Sequence, residues 1–198
     1  MLGLPNNTVI SIPLPKTKVY QKFNMNNAAK EKFDADISRM FIVNEVSPNT
    51  ITIEKGEEVQ TVFLVNVILK NKDFTETTIS QLNKLINQKM IFVLDYGTDR
   101  KVAIYQTKLL STEWMPIDEF NLSIKGLNMD SVWDNFVMQI GNVVVEDGNS
   151  IDEQIAADEE KDKIQKEIAR LEKQARAENQ PKKKFDLVQQ IKKLKMEL

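Results

Sequence analysis

No cysteine and no histidine occur among the 198 residues of this chain. Their absence excludes thiol nucleophiles, zinc-finger ligation, Ser-His and Cys-His relays, and imidazole acid/base chemistry. An enzyme built from what is left works through carboxylates, lysine, tyrosine or a hard cation held by oxygen. Glycine is scarce too. None of its six occurrences falls into G-x-x-x-x-G-K or G-x-G-x-x-G spacing, so the chain carries no phosphate-cradling nucleotide loop.

Long apolar runs are also missing. The longest, "VFLV" at 62–65 and "MIFVL" at 90–94, fall well short of the roughly 20 residues of a spanning helix. The opening "MLGLPNNTVI" lacks the basic start and apolar core of a signal peptide, and Leu2 excludes N-myristoylation. The expectation is a cytoplasmic protein with no membrane contact. An excess of positive charge is absent as well: 27 basic residues stand against 29 acidic ones, a net charge of -2. Nucleic-acid contact is therefore expected to be indirect or weak and to rest on a local patch. With 41% hydrophobic and 28% charged residues, the chain is of ordinary globular composition and can bury a sizeable core.

Periodicity gives the order of elements. Asn26 is placed to cap a helix with Ala29, Phe33 and Ile37 at four-residue steps. Three strand-like runs follow: 38–46, "TITI" at 50–53 after a Ser-Pro-Asn turn, and 58–70. In the third run Val59, Phe63, Val65, Val67 and Leu69 share one face. Val62, Leu64 and Ile68 make the other face apolar too, as in a central strand covered on both sides. "DFTETTISQLNKLINQ" reads as a helix with an Asp73–Glu76 capping box and Ile79, Leu82 and Ile86 inward. "MIFVLDY" and "KVAIYQ" read as a hairpin around Gly97, and "LLSTEW" as a further strand. Asn128 caps a last helix carrying Val132, Phe136, Val137 and Ile140, which Gly141 would stop.

Beyond the turn-like "EDGNS" the composition turns charged, with Phe185 the only aromatic. Ile164, Ile168, Leu171 and Ala175 repeat at spacings of four, three and four, and Leu187, Ile191, Leu194 and Leu198 repeat in the same way. Between the stripes Asn179 suits a left-handed C-cap, Pro181 blocks continuation of the first helix, and Asp186 with Gln189 suits a cap on the second. The pattern predicts an antiparallel helical hairpin whose narrow seam needs a further surface: its own domain, a second copy of the chain, or another protein. Residues 152–160 are acidic and the stretch after 161 is lysine-rich. The triplet Lys182, Lys183 and Lys184 is a candidate phosphate contact, although lysines beside a turn more commonly face solvent.

The order helix, three strands, helix, strand also resembles the αβββαβ core of restriction-endonuclease-like nucleases. Lys70 stands where the lysine of a Glu-x-Lys would lie at the end of the third strand. Ile68 takes the glutamate's place, and Glu54 just after "TITI" is the nearest acid for the second strand. With oxygen ligands missing, Mg²⁺ would be poorly held, so this core is expected to be degenerate. Tyr105 and the "TEW" at 112–114 form a candidate aromatic platform, though Trp114 at a strand end is more commonly a core anchor.

"LGLP" at the start, "IPLPK" at 12–16, "NTITI", "EEVQTVFLVNVILK", "INQKMIFVLDY", "STEW" and the tail "LEKQARAENQPKKKFDLVQQIKKLKMEL" resemble, in this order, a bacterial and archaeal family known as the domain of unknown function numbered four-three-nine-one. The likeness spans nearly the whole chain and marks Lys16, Lys70, Glu113 and Trp114 as family-motif residues. Members of that family are often encoded beside DNA methyltransferases and restriction-type helicases, which implies a supporting role in DNA modification or anti-phage defence.

These readings give an α+β domain over 1–147, with a mixed or antiparallel sheet and flanking helices, and a helical appendage over 148–198. The leading expectation is a non-catalytic accessory subunit, without metal or cofactor, that binds a DNA methyltransferase or helicase subunit through its C-terminal helices. A metal-dependent nuclease using Lys70 and Glu54, and a homo-oligomeric scaffold, are the alternatives.

Overall fold

The computed structural model describes residues 2–73 and 76–198. The chain divides into two compact units, Met1–Val144 and Val145–Leu198.

The first unit is built on a seven-stranded sheet. Its strands are β1 (Val9–Pro13), β2 (Ile37–Val46), β3 (Val62–Leu69), β4 (Lys89–Tyr96), β5 (Asp99–Tyr105), β6 (Leu109–Ser111) and β7 (Met115–Pro116). They lie in the order β1-β2-β3-β4-β5-β6, with β7 also on β5. All neighbours are antiparallel except β3 and β4. That parallel pair needs a crossover, which contains α3 (Glu76–Leu82). The sheet is thus mixed and helix-flanked, as its sequence pattern predicts.

Period-2 alternation places Val65, Val67 and Leu69 of β3 on one face with Met90, Phe92 and Leu94 of β4 and Ala103 of β5. Val19 of α1 (Lys16–Lys22), Phe33 of α2 (Asn27–Asp36), and Ile79 and Leu82 of α3 join this core. Leu64, Ile91, Val93, Val102 and Ile104 are buried on the opposite face. On that side α4 (Met129–Gly141) packs against β5 and β6. Asn128 caps α4 through the Ser131 amide, 2.9 Å from its Oδ1.

Several local expectations are corrected. "TITI" is not a strand, because β2 is already flanked by β1 and β3 and leaves the segment no edge to join. The Thr50 hydroxyl instead donates to the Glu45 carbonyl at 2.8 Å and accepts from the Ser47 amide at 2.9 Å, closing a turn. Glu54 forms only an isolated bridge to Asn128. Without a second strand there, the αβββαβ order is not formed. The third run begins at Val62 rather than 58, because the Asp130 carboxylate accepts from the amides of Glu57, Glu58 and Val59 and holds them in a loop. Ala29 is exposed and Ile37 starts β2, so the inward face of α2 reduces to Phe33 and Asp36.

α3 ends at Leu82, short of the expected helix, and the Asp73–Glu76 capping box spans residues 74 and 75, which lie outside the described ones. Only Leu109–Ser111 of "LLSTEW" is extended. α4 includes Gly141, and Asn142 takes the left-handed conformation in its place with φ 51°. β1 and α1, set by Pro13 and Pro15, carried no periodic signal in the sequence.

The second unit is a pair of helices, α5 (Ile151–Ala177) and α6 (Pro181–Leu194). Ser150 and Glu153 close a capping box at the start of α5. The link between the helices is extended at Glu178, and Asn179 has no positive φ. Pro181 occupies the first turn of α6, where its missing amide leaves no helical hydrogen bond unmade. Asp186 and Gln189 therefore lie within α6 instead of capping it.

Candidate functional site

Pro15 directs the chain into α1 and Asn26 caps α2, so two short helices bring Lys16, Tyr20 and Asp34 together where β2 begins. The Lys16 Nζ lies 2.5 Å from Asp34 Oδ1 and 2.5 Å from the Ile37 carbonyl oxygen. The Tyr20 hydroxyl donates to the same Asp34 oxygen at 2.6 Å. Lys70, just past β3, donates from its amide to the Asp36 carbonyl and from Nζ to the Asp34 carbonyl, both at 2.7 Å. Two lysines separated by more than fifty positions in sequence thus converge on one residue.

The Lys16 ammonium and then the Tyr20 hydroxyl hold the Asp34 carboxyl below its usual value. Burial, reinforced by the Asp34 carboxylate, raises the Tyr20 hydroxyl well above its usual value. The carboxylate therefore stays ionised and the phenol stays protonated. Such a hub fixes cations in place.

The nuclease constellation is not assembled. Lys70 follows the end of β3, whereas Glu54 lies in the loop before its start. The whole of β3, eight residues at about 3.3 Å each and so roughly 26 Å long, runs between the two segments. Ile68 is partly exposed at the expected glutamate position. Among the described residues no group of three or more acidic side chains is placed to hold a metal ion.

Trp114 lies between β6 and β7, half-buried against the first core, with the Lys72 Nζ 5.1 Å from its ring centroid. Lys72 also pairs with Asp99 at 2.6 Å. Glu113 is exposed, and its carbonyl accepts from the Thr112 hydroxyl. These contacts make Trp114 an anchor for the chain rather than an open platform.

One polar cluster escaped the sequence reading. Arg100, 5% exposed, donates from Nε to Asp95 Oδ1 at 2.7 Å and from Nη2 to Oδ2 at 3.0 Å. Asn66 Nδ2 adds a bond to Asp95 Oδ2 at 2.7 Å, and Arg100 Nη1 reaches the Ile117 carbonyl at 3.1 Å. The only sequence signal was Asn66 inside "VFLVNVILK". A polar residue in a strand buried on both faces needs partners, and here they come from β4, whose Asp95 is held in turn by Arg100 of β5.

In the hairpin, Ile168, Leu171, Ala175 and Ile191 are buried together, with Ile164, Leu187 and Leu194 packed at their margin. Lys195 crosses from one arm to the other and pairs with Glu172 at 2.8 Å. Leu198 lies beyond the end of α6 and is half-exposed, outside the seam. Lys182, Lys183 and Lys184 sit exposed on the first turn of α6. A shallow depression of about 490 Å³ beside them is lined by Gln174, Glu178, Lys183, Asp186, Leu187 and Gln190. A second apolar row, not foreseen from the heptad pattern, faces outward: Phe185 at 61% exposure and Val188 at 47% on α6, continued just past its end by Met196 at 74%.

Among the described residues no helix is long and apolar enough to cross a membrane. The family model described as "Domain of unknown function (DUF4391)" matches residues 2–198. No curated protein and no solved structure matches the chain.

Proposed function

Because this chain belongs to the DUF4391 family, we propose that it serves as a non-catalytic accessory subunit and that α6 is its docking element. The observation that carries this reading is the outward row of Phe185, Val188 and Met196, which remains after the seam with α5 has been filled. An aromatic anchor beside aliphatic side chains is the composition of an interface centre. Lys192 stands within the row between Val188 and Met196, and Lys184 and Lys193 border it, so the complementary surface is an apolar groove that also presents carboxylates on a protein partner. The family's gene neighbourhood supports the finer assignment of that partner as a DNA methyltransferase or helicase subunit of a modification or anti-phage system, in the cytoplasm.

The test is co-expression of the intact chain with a DNA methyltransferase or restriction-type helicase subunit from its own cell. The wild type is expected to co-purify with that subunit. Phe185→Glu, at an exposed position, is expected to abolish recovery while leaving the far-UV circular dichroism unchanged. Loss on deleting 151–198 but full retention by Phe185→Glu would move docking elsewhere in the hairpin. No complex with the wild-type chain would refute the accessory role.

A further inference from the structure

Charge is unevenly distributed over the sheet unit. α1 and α2 sit at the end where β2 begins and β3 finishes. There the ammonium groups of Lys16, Lys30 and Lys70 gather around the Tyr20–Asp34 pair. Lys16 neutralises Asp34. Lys70 spends its hydrogen bond on a main-chain carbonyl, and the Lys30 Nζ lies 5.9 Å from the centroid of the Tyr20 ring.

Lys18, Lys22 and Lys32 on the same two helices are exposed and take part in no ion pair among the described residues. Asp36 is buried, which leaves Glu31 as the opposing exposed carboxylate on α1 and α2 once Asp34 is paired. At the other end of the same strands, the β2–β3 loop carries Glu54, Glu57 and Glu58 against Lys55. The α1–α2 surface beside Lys70 is therefore basic although the chain has a net charge of -2, and the β2–β3 loop at the other end of these two strands is acidic.

We propose that the basic end, formed by α1, α2 and Lys70, is a contact surface for the phosphate backbone of duplex nucleic acid. Among the described residues of α1 and α2 no large apolar side chain is exposed. Protein interfaces are centred on such side chains and are depleted in lysine. Lysine ammonium groups spread over two helices suit a polyanion, whose condensed counterions they displace. The Lys16–Asp34–Tyr20 hub locks α1 to α2 and so fixes the spacing of the lysines around it. The acidic β2–β3 loop orients the unit, turning its basic end toward the polyanion in spite of the overall charge. Lysines that reach only phosphates read no bases, so binding is independent of sequence.

The experiment uses the full chain and a fluorescein-labelled duplex of about 20 base pairs, followed by anisotropy between about 50 and 200 mM salt. Wild-type affinity is expected to fall steeply with salt. The variant Lys18→Gln/Lys22→Gln/Lys32→Gln/Lys70→Gln alters only exposed side chains. It is expected to bind about tenfold or more weakly at low salt, with a log–log salt slope shallower by ~0.9 for each phosphate that is no longer neutralised. Lys182→Gln/Lys183→Gln/Lys184→Gln is expected to keep wild-type affinity. No wild-type binding at low salt, an unchanged quadruple variant, or loss of binding in the tail variant alone would each overturn the assignment. Binding of poly-glutamate but not duplex would transfer the surface to an acidic protein and likewise overturn it. The residues differ from those of α6, so failure here leaves the docking reading standing.

Discussion

The sheet of Met1–Val144 buries apolar side chains on both of its faces, whereas the helices of Val145–Leu198 share one seam of four buried residues. Each β3 or β4 residue is held by two neighbouring strands and a layer above or below. Each seam residue is held by one facing helix and its own. The sheet unit exposes apolar side chains on separate elements, among them Ile68, Tyr96 and Leu127, while a two-helix seam leaves much of each helix surface open for binding. Stability and availability for binding are therefore divided between the two units, and substitutions should separate them.

The largest effect is expected from Phe92→Ala. Phe92 is 1% exposed at the centre of the sheet core, and truncating such a ring costs about 3–5 kcal/mol. Urea denaturation should show the loss as a lowered midpoint, and a change below about 1 kcal/mol would mean that the core collapses to fill the space.

A smaller effect is expected from Ile168→Ala in the seam, about 1–3 kcal/mol, since partners such as Ile164, Leu187 and Leu194 are only partly buried. It should appear as lost helical circular dichroism and faster amide exchange in α5 and α6, with sheet amides still protected. Equal loss of protection in the sheet would erase the distinction between the units.

The smallest is a pH effect at Asp130. Amide donors, that of Val59 foremost, hold its carboxyl below the ordinary 3.8. A folded-state value lower than the unfolded one stabilises the fold above about pH 4 and is lost as pH falls through it. Asp130→Asn should be less stable near neutrality and should show a flatter decline of melting temperature toward pH 3 than wild type, and parallel declines would exclude Asp130 as a source of the acid sensitivity.

Much of the architecture was legible. "MIFVLDY", Gly97 and "KVAIYQ" encode a hairpin locally, and the structure joins Tyr96 directly opposite Asp99 with Gly97 at φ 59° between them. The seam residues other than Leu198 were legible for the same reason, because heptad spacing is a property of one helix at a time. "TITI" misled because β propensity says what a segment tolerates and not whether an edge is free to receive it. The hub of Lys16, Tyr20, Asp34 and Lys70 was invisible as a unit. Its members come from α1, α2 and the end of β3, and no local pattern relates them.

What the sequence determined by itself was whatever repeats within a few residues: strand alternation, helix caps at Asn26 and Asn128, the two heptad stripes, and the exclusion of thiol and imidazole chemistry. What only the tertiary structure decided was which distant groups meet: Lys70 with Asp34, Arg100 with Asp95 and Asn66, and Asp130 with the loop at 57–59. The physical reason is that periodicity follows from backbone geometry, which each segment carries alone. Electrostatic and hydrogen-bonded partnership depends on strand order and register, and those are fixed only when the whole sheet closes its core.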